Sequence, residues 1–273
     1  MSTKWWLKVV FLAALLVGAA YFFGTVCQQM NLAYQVVIPP SKQALTLLLW
    51  LLLALGLTAI AAGIVAALFR PISVALVAVC LSGPALLVGW GISWSHAILT
   101  LLYVLAGMAY AFLVQNELRQ RVRFSVRILA ESQHLLLLAL LVVALGSFYL
   151  GYAEHITKEG FSIPEKQRNQ VAEEVANRVA AGIPEAFREG VRSGIHQQMQ
   201  YMLSEQFKQA VKPVERYIPA VITVLLFLPL MALVYLLAWV PIGALWLIFL
   251  LLRTVGIVNV TAETLVVKRL VIS

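Results

Sequence analysis

An all-α, polytopic transmembrane helix bundle with one helical extramembrane insertion is the fold this sequence predicts, and three observations predict it. Of 273 residues, 62% are hydrophobic and 12% charged, against about 45–50% and about 25% in an ordinary soluble domain. The apolar residues gather into uncharged runs long enough to cross about 30 Å of hydrocarbon, which takes about 20 residues at 1.5 Å each. One polar stretch, residues 153–217, separates the fifth run from the last. This composition excludes a water-soluble globule, disorder and collagen, and two Cys are too few for a disulfide scaffold.

Region 1–152 holds five spans, at about 5–23, 44–69, 72–92, 97–114 and 134–152. The first follows Lys4 and Lys8, which is also the layout of a signal peptide. Tyr21 and Phe22 carry the apolar run past the small residues Gly18 and Ala20, and Gly24-Thr25-Val26 lacks the small residue that a lipoprotein site needs before Cys27. An uncleaved anchor is therefore expected. Arg70-Pro71 ends span two, and Ser93-Trp94-Ser95-His96 joins spans three and four.

From Ile218 to Leu252 the chain runs 35 residues without a charge. As one straight helix it would be about 52 Å long, and fitting it would need a tilt near 55°, beyond the usual limit of about 40°. A helical hairpin over 218–258, turning at Trp239-Val240-Pro241-Ile242-Gly243, resolves the mismatch, with Pro229 as a kink. The count is then seven spans, with six as the alternative. Residues 259–273 form an extended tail, since Val258–Glu263 alternates apolar and polar.

Charge sets the orientation. Lys4, Lys8, Arg70, Arg119, Arg121, Arg123 and Arg127 fall on one side of the first five spans and Lys42 alone on the other. The positive-inside rule then places the N-terminus in the cytoplasm and 153–217 outside. The insertion carries nine basic residues and nine Glu, so it is neutral. Eleven basic residues against three Glu elsewhere make the whole net charge of +8. A basic excess confined to membrane flanks and tail excludes a nucleic-acid role. Arg253, Lys268 and Arg269 obey the rule with six spans and break it with seven.

Within the insertion, Ser162-Ile163-Pro164-Glu165 reads as a capping box. Val171, Val175 and Val179 beside Ala172, Ala176 and Ala180 form one apolar stripe, stopped by Gly182. A second helix opens at Pro184-Glu185, with Phe187, Val191, Ile195, Met199, Leu203, Phe207 and Val211 in a drifting period of four. Two helices of this size bury little alone, so 184–217 is the candidate surface for a second copy or a protein partner.

Chemistry is sparse. His96 reads as an interfacial residue, because no span carries a carboxylate to relay a proton to it. Glu131 and His134 have di-metal spacing but lack the second motif such bundles need, and Glu154-His155 is no better supported. Cys27 and Cys80 sit at different depths and are not expected to pair. Asn259-Val260-Thr261 matches a glycosylation acceptor. Ser82-Gly83-Pro84 falls mid-span, where a broken helix could build a transport site, although a simple kink is favoured. Arg119, Arg123 and Arg127 share one helical face beside apolar residues, a pattern suited to anionic lipid on the cytoplasmic leaflet. Small residues four apart (Ala14/Gly18, Ala59/Gly63/Ala67, Gly107/Ala111, Ser147/Gly151) predict close helix packing.

The expected protein is a multi-pass component of the cell membrane, without catalytic residues, metal or cofactor. It acts as a scaffold or assembly subunit; the alternative is a small-solute or ion transporter using Ser82, Gly83 and Pro84.

Overall fold

The structure, a computed structural model, describes residues 3–33, 42–69, 71–120, 126–160, 165–180, 190, 193–195, 197–199, 201–202 and 212–254. All the regular structure among them is helical. The helices are α1 (Thr3–Asn31), α2 (Lys42–Leu68), α3 (Ile72–Trp90), α4 (Trp94–Gln120), α5 (Val126–Glu159), α6 (Glu165–Ala180), α7 (Ile218–Leu237) and α8 (Trp239–Thr254). Six helical stretches are long and apolar enough to cross a membrane, Glu215–Leu251 counting as one of them.

Local chemistry sets the helix ends. Pro71, extended at φ −75° and ψ 167°, starts α3, and the Phe69 amide closes the preceding turn onto the Val65 carbonyl at 3.1 Å. Gly91, at φ 100°, ends α3, and Gly160, at φ 72°, ends α5. Both adopt left-handed backbone that a residue with a Cβ resists, the usual helix stop.

Helices α1 to α5 form one core, in which α1 packs against α3, α2 and α5. Phe23, Ala20, Leu16, Trp90, Leu86 and Phe148 are buried there. The α1–α3 seam is close at two glycines. A Cβ on Gly24 would overlap the carbonyl of Leu86, and one on Gly89 would overlap the carbonyl of Tyr21. The α1–α5 seam depends on Gly151, which lies against Asn31, and on the Ser147 hydroxyl, which donates to the Cys27 carbonyl at 2.6 Å. In α2 the Thr58 hydroxyl lies 2.8 Å from the Ala54 carbonyl and 3.4 Å from that of Ala19 on α1. Phe22 and Trp50 meet edge to face at 5.8 Å. Without a hydrophobic drive between helices in lipid, such close approach and lone hydroxyl bonds hold the seams.

The sixth stretch differs. Burial covers 67% of the most apolar part of α2 and 61% of that of α5, but only 6% of that of Glu215–Leu251. It begins where Glu215 lies beside Gly160 at the end of α5. Along α7, Tyr235 stacks on His134 of α5 at 5.3 Å. Ten residues later Leu245 of α8 lies against Gly63 of α2.

The reversal expected at Trp239–Gly243 is absent, for those residues open α8. The joint is Ala238, which keeps right-handed helical dihedrals (φ −59°, ψ −25°) and sends its amide to the Tyr235 carbonyl at 3.3 Å. Pro241 has no N–H for the carbonyl four residues back and crowds it. The ladder therefore loosens into an elbow instead of turning back. Pro229 sits inside α7, as expected.

In α6, Ala172 and Ala176 are fully buried while Glu173, Glu174 and Arg178 are exposed; of the expected valines, Val175 is half-buried and Val179 is exposed, and the side chains of Val171 and Ala180 lie outside the described residues. Arg178 pairs with Glu174 one turn earlier at 2.5 Å. Described positions between 190 and 201 are helical. The capping box, Gly182, most of the second insertion helix and the tail with its strand and Asn259 lie outside the described residues.

Candidate functional site

The proposed helix break is the first site to examine. Helix α3 runs without interruption through Ser82, Gly83 and Pro84. Successive residues 100° apart point three ways: Pro84 is exposed on the outside of the bundle, while Ser82 and Gly83 are buried. A Cβ on Gly83 would meet Val104 at 2.8 Å and Thr100 at 3.6 Å. The Ser82 hydroxyl lies 2.7 Å from the Val79 carbonyl and 2.9 Å from the Tyr103 hydroxyl. Ser82 donates to Val79, so Tyr103 donates to Ser82. Ser82 and Tyr103 form a polar clasp in the α3–α4 seam. Helix α3 is continuous here, with Pro84 inside it, as the favoured reading of a simple kink allows.

Tyr103→Phe removes the clasp yet leaves Ser82 its Val79 partner. The expected loss is about 0.6 kcal/mol, at most about 1.7, the range for hydrogen bonds between membrane helices. Equilibrium unfolding in mixed micelles measures it.

His96 stacks on Trp90 at 4.3 Å, with its Nδ1 2.9 Å from the Gly91 carbonyl. A carbonyl accepts, so Nδ1 carries the hydrogen; the imidazole braces the turn between α3 and α4. Glu154 pairs with Lys158 at 2.6 Å. His134 faces Tyr235, while the side chain of Glu131 lies outside the described residues, as do those of Arg119, Arg123 and Arg127. Among the described residues no group of three His, Cys, Asp or Glu is placed to hold a metal ion. Cys27 is buried and Cys80 exposed, both as free thiols.

Sequence reasoning passed over several buried polar side chains. The Gln115 amide donates to the Phe69 carbonyl at 2.7 Å, tying α4 to the end of α2. Gln133 is 1% exposed with neither amide atom bonded, and the buried Tyr110 hydroxyl is likewise without a partner. The available signal was a lone polar residue in an apolar run, which turns toward protein because lipid offers it nothing.

The remaining candidate is a surface. On α7 only Pro219 and Val234 are buried. Val221, Val224, Leu225, Leu228, Tyr235 and Leu236 are exposed, at spacings of three and four that keep them on one side. Trp239 and Trp246 extend the exposed apolar surface onto α8. Large aromatics at the edge of an aliphatic stripe suit protein contact.

No protein-family model matches this chain, nor does any curated protein or solved structure. The functional reading therefore rests on geometry.

Proposed function

We propose that this chain is a non-enzymatic integral-membrane scaffold or assembly subunit that works by contact with another protein. The observation that carries this reading is the uncovered face of α7 and α8. One crossing stretch, 6% buried, flanks a core whose other helices pack by glycine contact. It follows directly on the neutral insertion 153–217, so a partner held outside the membrane would continue onto this face within it. The charge bias supports a cytoplasmic N-terminus and an extracytoplasmic insertion. The 184–217 segment remains the candidate surface for a second copy or partner, and Arg119, Arg123 and Arg127 the candidate contact for anionic lipid.

The test places a photo-reactive residue at Leu228, at Trp246 and, as a lipid-facing control, at Val77 of α3, which is 58% exposed. Irradiated cells are expected to yield discrete heavier adducts from Leu228 and Trp246, at several times the Val77 yield. Equal yields at all three positions overturn the reading. So does movement of ions or solutes by the purified protein in liposomes, particularly if Pro84→Ala changes the rate.

A further inference from the structure

An apolar groove of about 370 Å³ runs between α2 and the elbow joining α7 to α8. Leu49, Gly56 and Ile60 form one wall, Val234 and Pro241 the other, and Leu137 of α5 closes the back. We infer that it is a lipid site, holding one acyl chain of a phospholipid whose phosphate is drawn to Lys42.

The first argument is Gly56. Glycine inside a helix costs about 0.5–1 kcal/mol relative to alanine; close packing repays it at several positions of this bundle, although Gly18, on the outward face of α1, is also open. A Cβ on Gly63 would meet Leu245 at 2.9 Å, and one on Gly107 would meet Val79 at 2.8 Å. Nothing lies within 4 Å of the Cβ position on Gly56. The space kept open there faces the groove, so the glycine makes room for a body that is not part of the described chain.

The second argument is size. From Leu49 to Ile60 the wall extends about 16 Å along the helix axis. A helix with side chains is about 10–12 Å across and would take more than about 1,200 Å³ over that length, which exceeds the about 920 Å³ of total empty space in and in front of the groove. A single hydrocarbon chain is slender enough, and a groove on a membrane-crossing helix opens toward a solvent made of such chains.

The third argument is charge and register. Lys42, Leu49 and Gly56 are seven residues apart, which returns each to nearly the same helix face. Lys42 therefore stands over the groove, about 10 Å beyond Leu49 along α2. It is exposed at the helix start, where a 27-residue helix of about 40 Å emerges from about 30 Å of hydrocarbon into the headgroups. An ammonium above a tail-sized apolar slot matches the two ends of a phospholipid. The lining positions Val234 and Pro241 lie off the exposed stripe of α7, so the site is separate from the proposed partner face.

Native mass spectrometry of the detergent-purified protein, titrated with phosphatidylglycerol, tests the inference. The wild type is expected to retain one lipid. Gly56→Phe, whose ring has open space, and Leu53→Trp, a second groove filler at a half-exposed position, are expected to lose it while keeping the wild-type thermal midpoint. Lys42→Gln is expected to weaken retention about fivefold, the effect of one basic residue near an anionic headgroup. Equal retention by wild type and both fillers overturns the site. Loss of a dimer mass in Gly56→Phe overturns it too, by making a second copy the occupant.

Discussion

Gly24→Leu is expected to abolish recovery of folded protein, whereas Gly18→Leu, six residues earlier on the same helix, leaves it unchanged. The difference lies entirely in what each Cβ meets. Gly18 has nothing within 4 Å, but at Gly24 the obstacle is the backbone of Leu86, with the Trp90 amide nitrogen 3.1 Å away. A flexible side chain could swing aside; a backbone carbonyl held in its own helix moves only if α3 moves with it. Overpacking ordinarily costs about 1–3 kcal/mol. Here the cost reaches at least the top of that range, because Gly89 presses equally closely on Tyr21 from the opposite helix. The monodisperse fraction in gel filtration and the thermal midpoint in detergent measure the outcome. A wild-type midpoint for Gly24→Leu would contradict the α1–α3 seam.

Cysteine labelling is expected to give an all-or-none answer about the last crossing. In a Cys27→Ala, Cys80→Ala background, Ser2→Cys and Thr264→Cys are each probed with an impermeant maleimide. Both are expected to label from the same side of the membrane. If α7 and α8 act as one bent crossing, the chain crosses six times and its two ends share a side. That arrangement also puts Arg253, Lys268 and Arg269 with Lys4 and Lys8, as the distribution of positive charge demands. Labelling from opposite sides would restore a two-span hairpin and the seven-span count.

Sequence and structure agree most closely where punctuation is strong. Spans two and three were expected at 44–69 and 72–92, and the helices are Lys42–Leu68 and Ile72–Trp90, because Pro71 and Gly91 leave little freedom. They part where polar residues sit inside a helix. Helix α1 continues through Gln28, Gln29 and Asn31, and α5 starts at Val126, well before the apolar run begins. The hairpin followed from treating 35 residues as either straight or folded back, and Pro241 supplies a third solution, the elbow.

Small-residue spacing was informative but blind to direction. Gly63, Gly107 and Gly151 lie in seams, while Ala14 and Gly18 face outward. The contact of Gly24 against α3 was not singled out, although Ala20 and Ala85 stand four residues before Gly24 and Gly89. Spacing identifies a smooth face; it does not say whether protein or lipid covers it, since the two are equally apolar. Lone hydroxyls carry that information better, for Thr58, Ser82 and Ser147 all turned inward. The apolar groove left no pattern in the sequence beyond one glycine, because its walls come from three distant segments.

The packing of α1 against α3 and α5 has a consequence for biosynthesis. This helix is made first, yet its closest partners are Gly89 and, 120 residues after Cys27, Ser147. At about 5–20 residues per second, α1 waits about 3–13 s for α3 and about 6–24 s for the contact with α5. Throughout that interval its glycine face and the Cys27 carbonyl lie open to whatever else is in the bilayer. The oldest helix in the chain waits for these close contacts, so the nascent protein is vulnerable to wrong partners, and in need of an insertion factor, before its fifth helix arrives.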